Sequence, residues 1–141
     1  MAHPYHHAMS SVKHFGGVPA DYSRVHDWFD ATKAHLADFR HRALRHHAEG
    51  IFWCEEEFGQ TLTNSDGKQV PVRLVAERHV REDLGRIPTV ADWLRGIPAQ
   101  AWMHRDAEKL SRRDDGPTAA TPPAPVREAG EEPNRAVLIG R

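Results

Sequence analysis

The sequence predicts a mainly α-helical fold: a compact bundle of about four to five helices with one small β-hairpin and a C-terminal tail. Apolar residues recur at intervals of three and four along most of residues 4 to 103, which is the spacing of an amphipathic helix. Farther on, prolines and small residues accumulate and this spacing is lost, as in disordered segments. We therefore expect a helical domain over residues 1–105 and a flexible, Pro-rich tail over residues 106–141.

The first two helices have start and stop signals. Pro4 suits a first helical turn and Gly16-Gly17 suits a helix end, which predicts a helix over residues 4 to 15. After "GGVP", Asp21 is a good N-cap for a second helix, whose aromatic and aliphatic residues point toward a core.

A third, longer helix is predicted over residues 31 to 58, with Asp30 as its cap and Gly59 as its end. Apolar residues keep the helical spacing across it, and His47 falls within that apolar stripe. Glycine in a helix interior costs about 1 kcal/mol relative to alanine, so Gly50 indicates close packing by another element.

The second half of the domain predicts a hairpin and two more helices. "TLTNSDGKQVPV" favours a hairpin over about residues 60–72, because Asp66-Gly67 is a preferred two-residue turn. A fourth helix should begin near residue 72 and end at Gly85. Thr89 as N-cap and Asp92 three residues later predict a short capped helix.

Composition limits the classes of partner. The chain has 141 residues with 20 acidic and 19 basic side chains, so its formal charge of −1 argues against duplex nucleic acid as a partner. Its single cysteine, Cys54, excludes an intramolecular disulfide, and we expect it to be a small buried residue. The sequence shows neither a signal-peptide pattern nor an apolar run of about 18 residues, so we expect a cytoplasmic protein without a membrane partner. A homo-oligomer is compatible with this composition.

Histidine is the most unusual feature, with 11 in the chain and nine of them in the first 47 residues. Imidazole and carboxylate groups are ligands for zinc, iron and manganese, and ligands from separate helices of a bundle can meet at one centre. We therefore predict a divalent-metal site, with zinc, manganese or iron held by His41, His46, His79 and Asp83.

Three further residues complete the predicted site. Asp38 or Glu82 would orient the ligands or act as a base, and Arg42 would bind a small-molecule anion. Other interpretations stay open at this stage. His79 with Asp83 also fits an oriented general base or an ion pair at a helix C-terminus, and His47 fits a hydrogen-bonded core histidine.

Several long motifs carry a family resemblance. The runs "MAHPYHHAMSSVKHFGG", "DYSRVHDWFD", "HLADFRHRALRHHAEGIF", "TNSDGKQVPVR" and "HVREDLGRIPTVADWL" resemble an uncharacterised family of small bacterial and phage proteins, a domain of unknown function, over residues 1 to 103. The resemblance implies a compact cytoplasmic domain with recurring polar positions. Those positions correspond here to His7, His26, Asp38, His41, Arg42, His46, Glu55, His79, Glu82 and Asp83.

A looser resemblance concerns the run "ALRHHAEG", which is similar to the metal-binding helix of HD-type phosphohydrolases. It would make His46 the paired histidine and Asp83 the later aspartate, with His7 or His26 as the early histidine. His47 stands where that family has aspartate, so the defining His-Asp pair is broken.

Two hypotheses for function follow. The first is a metal-dependent hydrolase that acts on a phosphorylated or nucleotide-like small molecule. The second is a non-enzymatic interaction or regulatory protein, bacterial or phage, whose buried His/Asp/Arg network is structural.

Overall fold

Five α-helices and one two-stranded hairpin form most of residues 3–103, the part of the chain that the computed structural model describes. In chain order they are α1 (Pro4–Phe15), α2 (Ala20–Asp30), α3 (Ala48–Phe58), β1 (Thr61–Thr63), β2 (Gln69–Pro71), α4 (Val72–Leu84) and α5 (Val90–Leu94). Short 3-10 segments cover Ala31–Ala34, Phe39–Leu44 and Ala101–Met103. The prediction of a mainly helical fold with one small hairpin is confirmed.

Local signals at helix ends explain several of these boundaries. Pro4 is the first residue of α1, and Gly16 ends that helix at a φ of +83° that side chains disfavour. Gly85 ends α4 in the left-handed region. Before α5, Thr89 and Asp92 exchange the two hydrogen bonds of a capping box, as the sequence predicts.

The prediction of one continuous helix over residues 31 to 58 is wrong. The chain instead forms the two 3-10 segments and begins α3 only at Ala48. Asp38 caps the second segment by accepting a hydrogen bond from the Arg40 amide, and His47 caps α3 by accepting one from the Gly50 amide. A Cβ atom at Gly50 would lie 1.9 Å from the Arg45 carbonyl oxygen, so glycine lets the chain fold back upon itself. The sequence predicts close packing by another element at Gly50; the close contact is instead with Arg45, three residues before α3 begins.

The hairpin is antiparallel, with Leu62 opposite Val70. Its turn is longer than the predicted two residues, because the Gly67 amide donates to the Asn64 carbonyl and the Asn64 amide donates to the Lys68 carbonyl. Gly67 has a φ of +76°, the left-handed conformation typical of a three-residue hairpin loop.

Helix α4 lies at the centre of the bundle and packs against α1, α2 and α3. Much of the interior is apolar, and each fully buried valine there stabilises the fold by about 1.5 to 3 kcal/mol relative to exposure. This core consists of Tyr22, Val25, Phe29, Ile51, Cys54, Val70, Val72, Val75, Ala76 and Val80. Cys54 is fully buried as expected, and its burial raises the pKa of the thiol to about 12. The interior also contains buried histidines, two of which pack against Phe29 of this core, and they form the site described below.

Residues up to 99 belong to one compact unit and residues 100–103 to a second, which within the described range is a single 3-10 turn. The predicted tail lies outside the described residues, and the division of the chain at residue 105 stays a prediction. Within residues 3–103, every helix is too short or too polar to cross a lipid bilayer.

Candidate metal centre

Four metal-capable side chains from three segments meet inside the bundle. Asp30 is the last residue of α2, and His46 lies two residues before α3. His79 and Asp83 are one turn apart on α4, so both side chains leave the same face of that helix. One ligand atom from each of the four lies within 4.8 Å of the others. These four residues are the candidate metal centre.

The distances within the centre suit one shared ion. The Nε2 atoms of His46 and His79 are 3.1 Å apart. Asp83 Oδ2 lies 3.1 and 3.5 Å from these two atoms, and Asp30 Oδ1 lies 4.0 and 3.9 Å from them. Two ligands bonded to one ion at about 2.1 Å are roughly 3.0 Å apart at a right angle and roughly 4.2 Å apart when opposite. Small side-chain adjustments would therefore place all four atoms around one cation.

The centre is almost completely enclosed. Both histidines are fully buried, and the side chains of Asp83 and Asp30 are only 5% and 8% exposed. An enclosed carboxylate is destabilising unless it is paired. Arg42 Nη2 lies 3.1 Å from Asp83 Oδ1, and Lys33 Nζ lies 3.1 Å from Asp30 Oδ2. Each acidic ligand therefore has one oxygen beside a cation and the other directed to the centre.

The pKa of Asp83 reflects these neighbours. Burial alone would raise the pKa of this carboxyl, but the hydrogen bond with His46, the close contact with His7 and the charge of Arg42 hold it below its usual range. Asp83 is therefore ionised at neutral pH, which is the form that binds a cation.

His7 lies beside Asp83 and packs against His79, with ring centroids 4.2 Å apart. Its Nε2 is 3.4 Å from Asp83 Oδ1, and its Nδ1 donates a hydrogen bond of 2.6 Å to Glu82 Oε2. Burial lowers the pKa of His7, but the two carboxylates outweigh that effect and raise it above the usual value. The two carboxylates therefore favour the protonated, cationic form of His7 beside Asp83.

His26 contacts His79 at Nδ1, the ring nitrogen that does not face the centre. The two Nδ1 atoms are 3.0 Å apart, and His26 Nε2 is 2.9 Å from Ser11 Oγ. Desolvation by burial, with the charge of His7 nearby, lowers the pKa of His26 to about 3 and also lowers that of His79. Both rings are neutral at pH 7, and neutral imidazole is the form that binds metals.

The predicted ligand His41 is adjacent to the centre without belonging to the group of four. Its ring centroid is 5.4 Å from that of His46, and its Nδ1 is 2.8 Å from Thr32 Oγ1. Its Nε2 is buried and has no hydrogen-bond partner among residues 3–103. Of the four predicted ligands, the structure brings together His46, His79 and Asp83.

Backbone contacts fix the position of His46. Its carbonyl accepts a hydrogen bond from Trp93 Nε1, and its amide donates to the Arg42 carbonyl at 2.7 Å. Arg45 packs over the Trp28 ring and donates to the Trp28 carbonyl, which ties this segment to α2. The neighbouring His47 is used as the cap of α3.

The structure places Asp38 at the surface. Its carboxylate is 43% exposed and pairs with the Arg40 side chain at 2.6 Å, which lowers the pKa of Asp38 to about 2. Glu82, 28% exposed, faces His7 rather than the four ligands. Arg42 lies beside the centre, at the Asp83 oxygen that is not directed to His46 and His79.

Sequence reasoning missed Asp30, which it interpreted only as a helix cap. A signal for it exists, because His26 and Asp30 have the same His-x-x-x-Asp spacing on α2 as His79 and Asp83 on α4. Residues four apart share a helix face. Two such pairs on contacting helices could have indicated a shared His/Asp centre.

Comparison with known proteins gives one match. The family model described as Domain of unknown function (DUF6915) matches residues 2–103. No curated protein and no solved structure matches the chain.

Proposed function

This chain belongs to the family Domain of unknown function (DUF6915). We propose that it binds one divalent transition-metal ion at the candidate metal centre. The observation that supports the proposal is the convergence of two imidazoles and two carboxylates, from three segments, within 4.8 Å of one another in the interior. Carboxylate ligands offset the charge of a divalent cation, and the mixed nitrogen and oxygen ligands suit zinc, manganese or iron.

We further propose that the ion serves the hydrolysis of a phosphorylated or nucleotide-like small molecule. When bound, such an ion lowers the pKa of a coordinated water and so supplies a nucleophile. Arg42 is the group that would receive the phosphate. Its side chain is 14% exposed beside Asp83, and its Nε has no hydrogen-bond partner among the described residues. Glu82 would help to position Asp83 indirectly. It accepts a hydrogen bond from His7, and His7 contacts Asp83.

A second candidate function is favoured by the burial of the ligands. His46 and His79 have no exposed surface, and closed sites of four protein ligands are typical of structural ions. In that case the protein is a non-enzymatic interaction protein whose metal centre holds α2, the segment before α3, and α4 together.

Thermal unfolding tests the binding proposal. A cation at one hundred times its Kd stabilises the folded state by about 2.7 kcal/mol. For a domain of roughly 100 residues, this raises the Tm by about 10 to 20 °C. We expect that shift from zinc, manganese or iron(II) in untagged wild-type protein and in the control Asp27→Asn, which alters an exposed carboxylate on α2. The Asp30→Asn variant should lose most of this rise in Tm. An equal rise in Asp30→Asn and Asp27→Asn contradicts the site.

Turnover assays separate the two functions. The metal-loaded protein is assayed with nucleoside monophosphates and aryl phosphates, and Arg42→Gln is compared with Arg40→Gln, which alters the exposed pair with Asp38. Loss of one preorganised charge-stabilising group commonly lowers kcat by about 100-fold or more. We expect that loss for Arg42→Gln and little change for Arg40→Gln. Stoichiometric metal without turnover of any phosphate ester supports the structural role instead.

A further inference from the structure

We infer that His26 is a positioning residue for the metal centre, because it determines which nitrogen of His79 is free to bind the ion. This inference rests on the proposed metal site. It starts from a contact on the far side of His79, where the Nδ1 atoms of the two rings are 3.0 Å apart. A hydrogen bond between two imidazole nitrogens needs one hydrogen on one of them and a lone pair on the other.

Two arrangements satisfy this contact. In the first, His79 Nδ1–H donates to His26 Nδ1, the hydrogen of His26 is on Nε2, and that N–H donates to Ser11 Oγ at 2.9 Å. His79 Nε2 then presents a lone pair to the centre. In the second, Ser11 donates to His26, His26 donates to His79, and the hydrogen of His79 is on Nε2. That hydrogen would occupy the ligand position, so only the first arrangement can bind a metal.

The surroundings hold these groups in place. Ser11, His26 and His79 have no exposed surface, and the two rings lie side by side with centroids 5.2 Å apart and planes inclined by 26°. In a close-packed interior neither ring can rotate freely to find another partner. His46 differs, since its Nδ1 is buried with no hydrogen-bond partner among residues 3–103. His79 is therefore the ligand whose tautomer the protein controls.

Two substitutions at His26 distinguish the roles of its two ring nitrogens. Asparagine places an amide oxygen near the position of Nδ1 and keeps an acceptor for His79, whereas glutamine reaches toward Ser11 and leaves His79 Nδ1 without one. Loss of a hydrogen-bond partner behind a metal ligand commonly weakens metal affinity 10- to 100-fold. We expect His26→Gln to bind zinc more weakly than wild type by about that factor. His26→Asn should bind within a few-fold of wild type.

The experiment is zinc titration of the untagged full chain against a chromophoric chelator, with the Tm of each metal-free variant measured in parallel. Wild-type affinity in His26→Gln, or equal weakening in both variants, overturns the inference and leaves the metal site intact. Absence of zinc binding by wild type overturns both.

A second measurement does not depend on the variants folding. Ring nitrogen-15 NMR of the zinc-loaded wild-type protein should show His79 protonated at Nδ1 and His26 protonated at Nε2. A His26 ring protonated at Nδ1 in the loaded protein contradicts the inference.

Discussion

Replacement of Asp83 by alanine is expected to lower the free energy of unfolding of the metal-free protein by about 3 to 5 kcal/mol, the usual cost of breaking a buried ion pair. Asp83 Oδ1 faces Arg42 at 3.1 Å and His7 at 3.4 Å, and its Oδ2 accepts from His46 at 3.1 Å. Truncation leaves the guanidinium and the raised-pKa imidazole of His7 without their shared anion. The measurement is urea unfolding in the presence of a chelator.

The control for this experiment is Glu77→Ala on the same helix. Glu77 pairs with Arg73 at 3.2 Å, but the arginine is 52% exposed, and an exposed pair contributes at most about 1 kcal/mol. Asp83→Ala should therefore be several times more destabilising than Glu77→Ala. A more stable Asp83→Ala protein would mean that repulsion between Asp83 and Asp30 dominates the metal-free centre.

Acid unfolding between pH 6.5 and 4.5 is the second large effect that we expect of the metal-free protein. The pKa of His26 is lowered to about 3 and that of His79 is lowered too, so in this window the unfolded chain binds protons that the folded protein does not. Stability therefore falls as the pH falls, by about 1.4 kcal/mol per pH unit for each histidine. Over two units the two residues together remove about 5 kcal/mol, comparable with the whole stability of many domains.

Other titrating groups do not reverse this slope. The raised pKa of His7 gives stability that is fully present below about pH 6.5 and is lost only as the pH rises through its folded pKa. The lowered pKa of Asp83 gives stability that is lost only as the pH falls below about 4. Urea midpoints at pH 6.5, 5.5 and 4.5 measure the slope. His26→Asn should reduce the slope without abolishing it, because burial also lowers the pKa values of His79, His41 and His47. Constant stability across this range would contradict the neutral, buried state of both rings.

Local signals in the sequence account for much of the fold. Pro4, Gly16, Gly85 and the Thr89 cap act on their own helix ends, so their effects can be predicted without knowledge of the tertiary structure. The break between α2 and α3 could not be predicted in this way. Apolar residues spaced by three and four fit 3-10 and α segments alike, and the fold-back depends on the Gly50 contact with the Arg45 carbonyl.

Only part of the site could be predicted from the sequence, because residue chemistry is visible there and tertiary contacts are not. The sequence predicts His46, His79 and Asp83 as ligands because imidazoles and carboxylates on separate helices can converge, and the structure places them together. Asp38 has the same chemistry, but its cap and its pair with Arg40 keep it at the surface. The contact between His26 and His79 joins residues 53 positions apart, so only tertiary packing determines it.

The metal content of untagged protein tests the central claim most directly. Protein loaded with zinc, manganese or iron(II) and freed of excess by gel filtration is analysed for metal per chain, for wild type and for the double variant Asp30→Asn/His79→Gln. We expect one ion per chain in wild type and almost none in the double variant. Wild-type protein that retains no ion, or a double variant that retains as much as wild type, would contradict a metal centre at Asp30, His46, His79 and Asp83.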